Sequence, residues 1–94
     1  MSEVQVHRPA EQELQELDVY SWPTWGCEIS AFDWVYEQRE LCYFLEGQVR
    51  IWHDGEYVAE LGPGDLATFP QGYKCRWEVM ERINKHYRFE EEKA

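Results

Sequence analysis

The chain has 94 residues, room for one hydrophobic core, and its five Trp, six Tyr and four Phe supply large rings to fill it. Nine Lys and Arg against 19 Asp and Glu give a formal charge of -10, a field that repels nucleic-acid phosphates and anionic lipid headgroups, so neither is an expected partner. Three cysteines in apolar-patterned segments, no apolar run of the signal-peptide kind and no stretch of membrane-spanning length point to a reduced, cytoplasmic protein with free thiols.

Residues Pro9 to Asp18 read PAEQELQELD, with Leu14 and Leu17 three apart among acids, the pattern of a short peripheral helix. Its acids, like the run Glu90-Glu91-Glu92, read as solvated surface. After Trp22-Pro23-Thr24-Trp25 the periodicity becomes two. The expected strands are Gly26 to Tyr36, Leu41 to Glu46, Gln48 to His53, Glu56 to Leu61, Asp65 to Phe69, Lys74 to Met80 and Asn84 to Phe89. Asp54-Gly55 is a two-residue hairpin signal, and Gly62-Pro63-Gly64-Asp65 is a second reversal. Short strands joined by tight turns predict an all-β, antiparallel barrel or sandwich. With no linker, repeat or low-complexity tract, residues 22–94 read as one domain, and residues 1–21 as a segment packing on it.

Two motifs sharpen this. Glu40-LCYFLE-Gly47 fits Glu-x6-Gly, and Gly64-DLATF-Pro70-Gln71-Gly72-YK-Cys75 fits Gly-x5-Pro-x-Gly-x2-His-x3-Asn as far as its histidine. Both are signatures of the cupin superfamily, a jelly-roll barrel. The runs SAFDWVY, YFLEGQV, GDLATFPQGYKCRWEV and KHYRF, within Trp22 to Phe89, resemble the small cupins grouped with the (S)-ureidoglycine aminohydrolase cupin domain. The fold this implies is a single small RmlC-like barrel, with Gly47 turning one strand into the next. Cupins of this kind commonly pair, so a homodimer is expected.

The resemblance also exposes a departure. The usual cupin metal site takes two histidines and a glutamate from the first motif and one histidine from the second. Here those positions hold Trp34, Tyr36, Glu40 and Cys75, and the terminal Asn position holds Val79. An indole offers a metal no lone pair, so the three-histidine site cannot form, and neither a metal nor another cofactor is expected.

Strand alternation puts Phe32, Trp34 and Tyr36 on one face and Cys75, Trp77 and Val79 on another, giving an aromatic pocket whose ligand-binding residues are Trp34, Tyr36 and Trp77. Trp34 and Tyr36 also read as core aromatics that plug the barrel, Trp34 the more strongly. Glu40, desolvated among rings, is a candidate general acid or base; its alternative is a carboxylate bonded to Tyr36 or backbone. Cys75 is a candidate nucleophile or an inert core thiol, since Lys74 and Arg76 should face away from it. His86 is the histidine with a chance of acting beside Glu40, whereas His7 and His53 read as surface residues.

The function expected is binding of a small polar amine, amide or ureide, with or without metal-independent catalysis. The rivals are a structural dimerisation module and a metalloenzyme with a Tyr36, Glu40 and Cys75 site. A cavity lined by Glu40 and Tyr36 favours the first; an interior packed solid by Trp34 and Trp77 favours the second.

Overall fold

The computed structural model describes residues 3–90; Met1 and Ser2, and Glu91 and Glu92 of the acidic run, lie outside the described residues. The expected helix is present as α1 (Glu11–Leu17), which Asp18 ends in left-handed backbone, its N–H returned to the carbonyls of Leu14 and Gln15. A 3-10 turn over Val19–Ser21 follows. Leu14, Val19 and Trp22 bury against Leu41 and Leu66, a small second core that fastens this segment to the outside of the sheet.

The strands are β1 (Gln5–His7), β2 (Thr24–Cys27), β3 (Ser30–Val35), β4 (Arg39–His53), β5 (Glu56–Leu61), β6 (Leu66–Phe69) and β7 (Lys74–Glu90). All pair antiparallel in one sheet of order β1-β6-β4-β7-β2, with β3 on β7 and β5 on β4. This is the expected all-β barrel. Its core is built from Phe44, Val49, Ile51, Leu61, Phe69 and Trp77 with their neighbours.

Strand β5 has the bounds expected of it, and both turn residues before it, Asp54 and Gly55, take positive φ as a tight hairpin turn requires. Three differences matter more. The run from Gly26 is broken after Cys27 into β2 and β3, and β1, which pairs with β6, has no counterpart in the sequence reading. Four expected strands, moreover, are two long ones, β4 and β7, which pair with each other along most of their length.

Gly47 explains the continuity of β4. It is a bulge, not a turn: φ is 92°, the register against β7 shifts on both sides of it, and a Cβ there would collide with the carbonyl oxygen of Arg82. A bulge bends a strand without ending it, and it inverts the strand's parity. On β4 the buried interior residues are therefore Glu40, Cys42 and Phe44 before the bulge and Val49 and Ile51 after it. Uninterrupted β7 keeps one parity, and Cys75, Trp77, Val79, Ile83 and Lys85 are all buried on the inside.

Candidate aromatic cavity with a buried ion pair

The side chains brought inside by β3, β4 and β7, with Trp25 from β2, enclose a cavity of about 210 Å³. Its wall is aromatic: Trp25, Phe32, Trp34, Tyr36 and Trp77, completed toward the end of β7 by Tyr87 and Phe89. Register fixes the wall, since Phe32 pairs with Trp77 and Trp34 with Cys75 across β3 and β7, and directly opposed residues share a face. Tyr36 stacks on Phe69 at 4.5 Å, and the Trp77 indole N–H donates to the Tyr36 hydroxyl over 3.1 Å. Burial pushes the Tyr36 phenol well above its usual range, the nearby Cys42, Cys75 and Glu40 adding to the effect. Tyr36 is therefore a neutral phenol at neutral pH.

The polar part of the lining is Glu40 and Lys85. Both are buried, at 4% exposure each, and Lys85 Nζ donates to Glu40 Oε2 over 2.8 Å. The same ammonium donates to Cys42 Sγ at 3.0 Å, and the Cys42 thiol lies 3.0 Å from Glu40 Oε2, closing a triangle of carboxylate, ammonium and sulfur. Aromatic faces surround the cation, with Trp77 at 4.9 Å, Trp25 at 5.2 Å and Tyr87 at 6.0 Å from Nζ to ring centre. Burial works to strip the Lys85 proton, but Cys42 and Glu40 outweigh it and hold the ammonium above its ordinary range. Burial pushes the Cys42 thiol up to about 12, so it stays protonated. Both bonds at Glu40 end on Oε2; Oε1 has no partner among the described residues and is not sealed from the cavity.

Tyr36, Glu40 and Trp77 therefore converge, as their strand positions imply. Trp34 shares the cavity but does not plug it: it is 48% exposed, a rim residue at the mouth. Glu40 differs from the expected carboxyl stranded among rings, because Lys85 supplies a buried counter-charge. Cys75 is buried beside Tyr36 yet lines a separate depression with Trp34, Trp52 and Arg76, and burial pushes its thiol to about 12. No thiolate is available there, and Arg76 is turned away onto Asp33. His7 is exposed on Glu13, and His53 stacks on Tyr73 near the hairpin, away from the cavity.

His86 requires correction. It lies on the outer face, where its Nδ1–H donates to the Trp22 carbonyl over 2.9 Å and its ring meets Tyr20 edge-on. It cannot act beside Glu40, and its work is to hold the N-terminal segment. The residue that does stand beside Glu40 is its chain neighbour Lys85, which sequence reasoning passes over. The signal was parity: with β7 continuous from Cys75, odd-numbered residues face inward, and Tyr87 and Phe89 with them.

The profile of the EutQ-like cupin domain family matches residues 14–87, most of the chain. The chain belongs to this family. Among solved structures, a DUF861 family protein from Thermotoga maritima is 43% identical, with a TM-score of 0.91 over 94% of this cupin and 100% of that chain. The Clostridium difficile EutQ protein is 26% identical, with a TM-score of 0.62 over 68% of this chain and 50% of that one. A Salmonella typhimurium structure described as a putative ethanolamine utilization protein shares the fold at 22% identity and a TM-score of 0.61, covering 68% of this chain and 51% of its own. This cupin thus spans about half the length of the EutQ chains it matches. No protein of curated function matches it.

A cupin metal does not fit these residues. By the resemblance of their motifs, Trp34, Tyr36 and Cys75 fall where typical cupins hold histidines, and the Glu40 carboxylate already holds an ammonium, which repels a divalent ion. Among the described residues no group of three or more His, Cys, Asp or Glu side chains is gathered to hold one.

Proposed function

We propose that this cupin binds a small, flat, neutral molecule bearing N–H donors, an amide or a ureide, between the rings of the cavity, with Glu40 Oε1 as acceptor. The observation that carries this reading is the ion pair's asymmetry: Oε2 is used up by Lys85 and Cys42, while Oε1, on a side chain that lines the cavity, has no hydrogen-bond partner among the described residues. A cationic amine is disfavoured because the aromatic cage already contains an ammonium, and an anion is disfavoured by the carboxylate oxygen it would meet. The faces of Trp34, Phe32 and Trp77 suit a planar guest. The resemblance to the ureidoglycine aminohydrolase group favours the same class of ligand. Glu40 Oε1 is also the lining oxygen placed to exchange a proton with a bound donor, which gives metal-free hydrolysis of a carbon–nitrogen bond a base without a Lewis acid.

Thermal-shift titration with amides, ureides, amines (ethanolamine included) and carboxylic acids tests this. Amides and ureides should raise the melting temperature, Trp34→Ala should weaken the response at nearly unchanged stability, and His86→Ala should leave affinity intact. A panel in which carboxylic acids alone stabilise would mean that Lys85 reads the ligand, and the proposal would fall.

A second reading, pairing between copies, draws on β3, whose one pairing among the described residues is to β7 and which exposes Trp34 and Val35 by about half. Sedimentation velocity on Val35→Lys distinguishes it: a dimer that persists unchanged excludes β3 as the contact.

A further inference from the structure

We propose that Cys42 and Lys85 form a covalent oxygen-bridged link, Lys85 Nζ–O–Sγ Cys42, when a peroxide enters the cavity. The three side chains Cys42, Lys85 and Glu40 make a three-cornered contact. Nζ and Sγ lie 3.0 Å apart, and Glu40 Oε2 stands within 3.0 Å of each. All three residues are nearly or wholly buried, so packing holds them in mutual reach rather than leaving them to chance encounter. Glu40 and Lys85 face the cavity, which gives a small oxidant a path to the contact.

The step balances with hydrogen peroxide as co-reactant. Lys85 first passes a proton to Glu40, leaving a neutral amine. The amine takes the Cys42 thiol proton across 3.0 Å, the sulfur attacks one peroxide, the O–O bond breaks, and the leaving hydroxide takes that proton back from Lys85 as water, which leaves a sulfenic acid and a neutral amine. A second peroxide oxidises sulfenic acid and amine together: an N–O bond closes onto the sulfenic oxygen, one N–H and the O–H are lost, and two waters leave. Sulfur and nitrogen each give up two electrons, and the two peroxides accept them. One oxygen atom fits a gap of this size with little movement, whereas a direct sulfur–nitrogen bond would drag two packed side chains together. The other thiols lack this arrangement: Cys27 bonds to Ser30 and the Glu28 carbonyl, and Cys75 has no lysine partner among the described residues.

The bridge would cost Glu40 its counter-cation, since a nitrogen bonded to oxygen is a weak base. A cavity that takes neutral donors would then favour cationic ones. This consequence rests on the binding reading above; the link itself does not, and mass spectrometry reads the link alone.

Full-length protein treated with dilute hydrogen peroxide should gain about 14 Da, one oxygen added and two hydrogens lost, and dithiothreitol should reverse the gain. Proteolysis should yield a cross-linked peptide pair containing Cys42 and Lys85. Lys85→Arg keeps the cation but cannot form the bridge, so there the gain should be replaced by multiples of about 16 Da. Because the wild-type peptide pair is decisive alone, poor folding of a variant does not blunt the test. Simple oxyacids at Cys42 in the wild type, a loss of about 2 Da marking a direct sulfur–nitrogen bond, or no reaction at Lys85 would each overturn the proposal.

Discussion

An ammonium taken out of water needs a partner, and Lys85 has Glu40 at 2.8 Å with both side chains about 5% exposed. Such a pair contributes little net stability against an apolar replacement, yet each half strands the other when removed. Glu40→Leu and Lys85→Met should therefore each cost about 3 to 5 kcal/mol, while the double variant Glu40→Leu, Lys85→Met should recover most of the loss. Urea unfolding of the three proteins checks this, and simple additivity of the single losses would mean that the two groups do not interact. That the pair persists although apolar side chains would hold the fold as well points to a use for its polarity, and Glu40 Oε1, unpartnered among the described residues on a side chain that lines the cavity, is where that use would lie.

At the scale of elements, one glycine governs which side chains reach the cavity. Gly47 bends β4 against β7 in a conformation that a side chain strains, and a Cβ has no room beside Arg82. Gly55, also at positive φ, has nothing within 4 Å of the position a Cβ would take. Gly55→Ala should thus cost only the backbone term, about 1 kcal/mol, while Gly47→Ala adds a steric clash with backbone and should cost about 3 kcal/mol or more. Chemical denaturation of both variants is the measurement; equal losses would show that the bulge tolerates a side chain.

For the molecule as a whole, the buried titratable groups predict an alkaline limit to stability. Burial lifts Cys42 and Cys75 from near 9 to about 12 and lifts Tyr36 well above 10, and Lys85 is raised by its partners. Each binds its proton more tightly folded than unfolded. Its stabilisation is therefore complete below the unfolded value and is lost as pH rises toward the folded one. Stability should be level through neutral pH and fall above about pH 9, each cysteine contributing about 1.4 kcal/mol per pH unit up to about pH 12. Denaturation midpoints at a series of pH values test it, and a flat profile through pH 11 would contradict the burial of these groups.

What the sequence determined by itself was the local chemistry. The helix around Leu14, the hairpin at Asp54-Gly55 and the all-β class follow from short-range pattern and spacing, and the fold bears out the class and the turn; that Trp34, Tyr36 and Cys75 stand where cupins hold histidines is what the resemblance of the motifs implies. Alternation also placed Tyr36 and Trp77 at one cavity, because parity is reliable within an unbroken strand. Only the tertiary structure decided whether Gly47 ends a strand or bends it, since a glycine at positive φ serves turn and bulge alike and the paired strand selects between them. The continuity of β7 likewise fixed its parity, hence Lys85 inside and His86 outside, and with Lys85 came the counter-charge that makes Glu40 half of a pair rather than a lone acid. A charge's partner across 45 positions of chain is set by strand register, which no local pattern encodes.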